Sequence, residues 1–380
     1  MRCCPWTVGQ RPTDAPTGLA GMMLASDPSV VAGSRVVTRQ QVIELADGHQ
    51  LGVHVAGAGV PVVFLHGIGL AGALYADLLG GLPQFGFMAV APDAAGHGGT
   101  DPLADGASFY ERARFLDRVL DELGIRRAVL IGHSMGGRNV IELSVMRPDR
   151  VIAAVLLNAA AGFTFDRVSR RAALRLPTLV AAFARARWDA RSGTGYLSAE
   201  HKARYRRLKR IVSRQALRNG IELHRTAHAI AHARETTPML EQLRVLGIPT
   251  VVAHGIRDLV VPVESGLDCA RSAEAALYLL PHVHHSWMLP DPWLATELIE
   301  DLLHAELGTA IAAAATESKL PEHPTVADWH GACLDLDARV LELASKTELI
   351  TEPMVPYYGP AMQRAVRVEI ARSALTRGAS

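Results

Sequence analysis

The sequence predicts an α/β protein, with a mostly parallel sheet covered by helices on both faces. Three observations predict it. Short runs that are apolar throughout recur along the chain: Pro61–Leu65, Phe87–Ala91, Ala128–Ile131, Val151–Leu157, Thr250–Ala253 and Ala276–Leu280. Helical patterns separate them, among them Ser108–Leu123, Gly136–Met146 and Val263–Ser272. One run leads straight through Gly132-His133-Ser134-Met135-Gly136 into a helical pattern. Strands apolar on both faces and separated by helices describe a buried parallel sheet.

The elements follow in chain order. Residues 1–37, rich in Pro, Gly, Thr and Ser, read as a flexible leader. Val42–Leu45, a turn at Asp47-Gly48 and Leu51–Val55 read as a hairpin. The strand–helix alternation then runs to residue 160, breaks over 161–237 and resumes over 238–307. The break contains helical stretches crowded with arginine, and an insertion there should sit over the strand ends as a helical cap. Residues 308–380 read as a linker and a helical extension, with helices near Val326–Ser345 and Ala361–Leu375.

Composition limits the function. Of 380 residues, 49% are hydrophobic and only 5% aromatic, so the core must rest on Ala, Val, Leu and Ile. A net charge of +1 gives no global case for a nucleic-acid partner. Cys3, Cys4, Cys269 and Cys333 form no regular framework, which suits a reducing compartment, and a cytoplasmic location is expected. No stretch reaches the roughly 18 apolar residues a membrane span needs.

Four segments carry chemistry. In Gly132–Gly136 a serine between strand and helix must take strained backbone angles to present its hydroxyl, and Gly132 and Gly136 clear the bend. Leu65-His66-Gly67-Ile68-Gly69 closes another strand. There the Ile68 N–H, paired with the Met135 N–H, would bind an oxyanion, with His66 and Gly67 supporting the turn. Asp258, after the strand Thr250–Ala253, can orient an imidazole. His282, His284 and His285 crowd one loop. His285 is the expected base, seven residues before Pro292, with His284 as runner-up and His282 third. Zinc on the three histidines is the rival reading, but no Cys or carboxylate set accompanies them.

The order Ser134, Asp258, His285, together with His66-Gly67, Asp93–Gly98, Gly255–Pro262 and His285–Pro292, resembles the α/β-hydrolase fold superfamily in its cap-bearing branch, over about residues 38–307. Two positions depart from the pattern: His284 stands where relatives carry Gly, and Ala95 where they carry Arg. The resemblance implies a serine hydrolase acting on a carboxylic ester or thioester through a Ser-His-Asp triad, with no cofactor and no metal. A C–C bond hydrolase or acyltransferase on the same machinery is the alternative, and a non-catalytic ligand-binding protein is a further one. The substrate would be a small acyl compound. Residues 166–235 hold seventeen Lys and Arg against five acids. That charge reads as a solvated face, or as attraction to an anionic or lipid-like substrate, with peripheral membrane contact through the basic cap. His224, His228 and His232 recur every four residues and read as a packed or pocket-facing stripe. Trp188, Tyr196 and Trp287 are candidates to line an acyl pocket, or simply core.

Overall fold

The computed structural model describes residues 34–104, 107–173, 206, 210, 220–347, 351–353 and 365–368. Most of the leader, Trp188, Tyr196 and the arginine-rich middle of the insertion lie outside them. The parallel heart of the sheet is β4 (Val60–Leu65), β5 (Phe87–Pro92), β6 (Ala128–His133), β7 (Val151–Leu157), β8 (Thr250–Gly255) and β9 (Ala276–Leu280). Every residue of β4 to β8 is buried. This is why the sequence reads there as unbroken apolar runs rather than alternation. The hairpin forms as β2 (Gln40–Glu44) and β3 (Gln50–Ala56), antiparallel, with β3 also antiparallel to β5. Gly48 supplies the positive φ, 83°, that its turn needs.

Among the described residues the sheet has nine strands, in the order β11 (Val366–Val368), then β9-β8-β7-β6-β4-β5-β3-β2. Helices α1 (Ala76–Gly81), α2 (Phe109–Leu123) and α3 (Met135–Met146) cover it in the first half of the chain. Ser108 starts α2 with a reciprocal capping box to Glu111. Helices α4 (Phe163–Ala173) and α5 (Gly220–Ala231) come from the segment between β7 and β8. Four more follow: α6 (Thr237–Val245), α7 (Val263–Ala273), α8 (Pro292–Leu303) and α9 (Glu306–Glu317). Two apolar clusters, one on each face of the sheet, make the core.

Three expectations differ from the structure. The leader does not run unstructured to residue 37, because β1 (Ser34–Val36) pairs antiparallel with β10 (Thr351–Pro353). A three-residue strand whose partner lies some 300 residues away leaves no local periodicity to read. The start of the expected linker is helix α9 instead, an Ala-rich stretch that buries Leu307, Ala310, Ile311, Ala314 and Ala315. Those positions form one helical face built mainly of alanine, which an apolar-moment reading undervalues. The last expected helix, Ala361–Leu375, contains β11 (Val366–Val368), antiparallel to β9, with Arg367 paired to Glu306 at 2.7 Å. The alternating Val-Arg-Val suits an edge strand, and β9 offered an unpaired edge.

Helices α10 (Val326–Cys333) and α11 (Arg339–Ser345) dock the C-terminal extension on the sheet body. Trp329 is fully buried, and the Arg126 N–H donates to the Cys333 carbonyl at 2.8 Å. No helix among the described residues is long and apolar enough to cross a membrane.

Candidate active site

Ser134 lies between β6 and α3 with φ 55° and ψ −118°, a conformation that L-residues rarely adopt. The bend is held from both sides: the Ser134 N–H donates to the Leu157 carbonyl at 3.0 Å, and the Ser134 carbonyl accepts from Ala160 N–H at 2.9 Å. The glycines are required by space. A Cβ on Gly132 would come within 2.4 Å of the Gly136 carbonyl oxygen, and one on Gly136 within 2.0 Å of the Leu65 oxygen. Such closeness lets the turn pack against β4 and sends the Ser134 hydroxyl out past the strand ends.

His285 sits on the loop between β9 and α8, and Asp258 on the loop after β8. The His285 ring spans them: its Nδ1–H donates to Asp258 Oδ2 at 2.7 Å, and its Nε2 accepts the Ser134 hydroxyl at 2.9 Å. That tautomer follows from the network, because only an ionised carboxylate faces Nδ1. All three side chains are buried. His284 is half-buried and His282 exposed, and neither takes the place of His285 beside Ser134. Among the described residues no three His, Cys, Asp or Glu side chains gather as a metal site would require.

Asp258 is saturated with donors. Oδ1 accepts the Val260 and Val261 N–H groups at 2.7 and 2.8 Å, and Oδ2 also accepts from Asn158 Nδ2 at 2.6 Å. Burial pushes its pKa up, but the His285 ring, His254 and the Asn158 amide outweigh burial and hold it at about 2. The carboxylate therefore stays charged in a buried setting, the condition for stabilising an imidazolium.

The two N–H groups expected to face an oxyanion lie in two chain turns. Met135 N–H is the first of α3, and neither it nor the Ile68 N–H has an acceptor among the described residues. Gly67 brings the turns together, since a Cβ there would lie 3.2 Å from Ser134 Cβ. His66 holds its own turn: Nδ1–H donates to the Gly67 carbonyl at 2.8 Å, and Nε2 accepts the Ala94 N–H at 2.8 Å. Burial lowers its pKa to about 4, so the ring remains a neutral strut.

Two supporting residues escape the sequence reading. His133, the variable position of the Gly-x-Ser turn, donates from Nε2 to the His285 carbonyl at 3.0 Å and accepts the Tyr75 hydroxyl on Nδ1 at 2.7 Å. Burial drives its pKa down to about 3, so it serves as a fixed link. Asn158, just past β7, bridges the Trp287 indole N–H (2.9 Å) and Asp258. Trp287 is thus a buried brace. The one available signal was position, because Asn158 stands where a sheet strand ends toward the site.

Helix α5 lies across these turns. A Cβ on Gly69 would meet Leu223 Cδ1 at 3.3 Å, and one on Gly96 would meet Glu222 at 2.9 Å. Arg112 of α2 donates to Thr226 Oγ1 at 3.0 Å. A cleft of about 530 Å³ opens between Phe109, Tyr110, Glu142 and His228, and Ser134 is not on its wall. His228 and His232 stack there at 3.9 Å between ring centroids, facing that cleft rather than the serine.

A parallel sheet with a strained serine at one strand end and an acid and a histidine at later ones defines the α/β hydrolase class. Residues 60–292 match the profile of the α/β hydrolase fold, and the chain belongs to that family. It is 37% identical over 270 residues to a putative non-heme haloperoxidase of Mycobacterium phage D29, covering 69% of this chain and 94% of that protein. It is 34% identical over 139 residues to a 2-hydroxy-6-oxononadienedioate/2-hydroxy-6-oxononatrienedioate hydrolase of Paraburkholderia phymatum, covering 35% of this chain and 48% of that enzyme. Among solved structures, Est816, described as an N-acyl homoserine lactone degrading enzyme, superposes with a TM-score of 0.54 at 25% identity, covering 69% of this chain and 99% of that one.

Proposed function

We propose that this hydrolase cleaves a carboxylic ester or thioester through an acyl-enzyme on Ser134. The observation that carries the reading is the unbroken chain from Asp258 through His285 to the Ser134 hydroxyl, 2.7 and 2.9 Å, beside two N–H groups without acceptors among the described residues. His285 takes the hydroxyl proton as Ser134 Oγ adds to the carbonyl carbon. The Ile68 and Met135 N–H groups bind the resulting oxyanion. As that intermediate collapses, His285 gives the proton to the leaving alcohol or thiol. Water then adds with His285 again as base, and the acid departs. The likeness to Est816 fits an ester bond within a ring as well as an open one. The basic composition of residues 166–235 favours a substrate with an anionic or lipid-like part, and KM should then rise with ionic strength.

The test is labelling with a fluorophosphonate and turnover of p-nitrophenyl butyrate. Both should be present in the native chain. In Ser134→Ala labelling should vanish and kcat should fall by roughly 10⁴-fold or more, with the fold retained. Labelling that persists in Ser134→Ala would overturn the proposal. A second reading is favoured by the haloperoxidase relative: hydrogen peroxide replaces water on the acyl-enzyme and releases a peracid, which oxidises halide in solution. Halide oxidation that needs both a carboxylic acid and Ser134 would support it.

A further inference from the structure

One turn after the nucleophile, α3 carries a buried cation that the chemistry does not use. Arg138 is 1% exposed. Its Nη1 donates to Asp166 Oδ1 at 3.1 Å, its Nη2 donates to the Arg234 carbonyl, and the guanidinium stands 4.8 Å over the Phe109 ring. Asp166 Oδ2 accepts the Thr236 N–H at 2.6 Å and the Thr236 hydroxyl at 2.7 Å. The Thr236 Oγ1 in turn accepts the Gly162 N–H at 2.7 Å. Gly162 and Asp166 open the segment between β7 and β8, while Arg234 and Thr236 close it, so the two ends of the segment meet on one guanidinium.

We propose that Arg138 is a positioning residue, clamping both ends of that segment onto the nucleophile helix and so setting which acyl chains reach Ser134. Three features carry this. A guanidinium presents several donors in a fixed plane, so it can serve a carboxylate and a carbonyl while stacking on a ring, which an ammonium cannot reproduce. The network is buried, and a cation placed there stays only with its partners. The consequence reaches the chemistry through α5, which rises from the clamped end and lays Leu223 against Gly69, next to the Ile68 N–H. A shift of the clamp therefore moves the wall over the oxyanion turn, while the Ser134–His285–Asp258 links are made entirely by other residues.

The inference about acyl selection rests on the serine-hydrolase reading, and two measurements keep their failures apart. The first is hydrogen–deuterium exchange on the full chain with Arg138→Met. Exchange should speed about tenfold in α4 and α5 and stay unchanged in α3. Unchanged exchange in α4 and α5 would overturn the clamp whether or not the chain is a hydrolase. The second compares p-nitrophenyl octanoate with the acetate. For Arg138→Met, kcat/KM should fall about tenfold on octanoate, through KM, and less than about threefold on acetate, with Arg138→Lys between native and Met. An equal fall on both esters would show a merely structural role and overturn the positioning claim. If Arg138→Met does not fold, Thr236→Val, which cuts the hydroxyl links to Asp166 and Gly162 and spares the ion pair, should shift both readouts the same way by a smaller factor. No shift in Thr236→Val would also overturn it. A native chain that takes neither fluorophosphonate nor ester would refute the hydrolase reading alone.

Discussion

At the ends of β6, β8 and β9 the candidate catalytic side chains are tied into one buried hydrogen-bond network: Asp258 accepts four hydrogen bonds, and the His285 ring makes two while its carbonyl takes a third from His133. Over the same ground α5 rests on a few contacts, Thr226 with Arg112, Glu222 beside Gly96 and Leu223 beside Gly69, and Thr226 is its buried residue. In the first region the Asp258, Asn158 and His285 side chains are each held by at least two hydrogen bonds. The second leaves Ile221 on α5 73% exposed and Phe163 on α4 55% exposed. Tight packing around the candidate reacting groups holds their geometry, and a helix resting on fewer contacts is the part freer to move.

That contrast can be broken at several points, beginning with the largest effect. Asp258→Asn removes the charge that steadies the His285 cation and lets the ring take the wrong tautomer. Steady-state kcat on a short ester should fall by about 10³–10⁴-fold with little change in KM, and a loss under tenfold would mean the strand-end wiring is not what it looks like.

Asp291 tests the energetic cost of a buried carboxylate on the helix that follows the His285 loop. It caps α8 by accepting the Leu294 N–H at 3.0 Å, and burial pushes its carboxyl up to about 7. A carboxyl whose folded-state pKa lies above its unfolded value favours the fold while protonated. That contribution is full below about pH 4 and is lost as pH rises through 7. Asparagine caps equally well and carries no charge. Urea denaturation should find Asp291→Asn within error of native near pH 4 and more stable by roughly 2–4 kcal/mol at pH 8. Equal stability at pH 8 would show that the carboxylate is solvated there.

The smallest effect belongs to α5. Thr226→Val keeps the shape and removes the Arg112 link, so kcat on p-nitrophenyl acetate should change less than about twofold while thermal stability falls by about 1 kcal/mol. A large kinetic effect would erase the distinction between the two regions.

The sheet was legible because burial on both faces leaves unbroken apolar runs, and β4 to β9 appear within a few residues of where those runs stand. Ser134 was legible because a strand–turn–helix with glycines two residues to either side has few other uses. His285 was singled out from three histidines by its spacing to Pro292, the residue at which α8 begins. The supports were not legible. His133 occupies the position its motif leaves open, Asn158 is one amide after one strand, and Arg138 is one arginine in a chain full of them.

By itself, the sequence determined the α/β class, the strand order of the chemistry along the chain and the residue types offered to a reacting carbonyl, because local patterns of burial and turn chemistry are written in neighbouring residues. Tertiary structure alone decided that Asn158 and Trp287 brace the acid, that residues 34–36 and 351–353 form one ribbon, and that Arg138 gathers Asp166 and Arg234. Those contacts join residues tens to hundreds of positions apart, and what selects them is the common space left when the sheet closes, which no stretch of sequence contains.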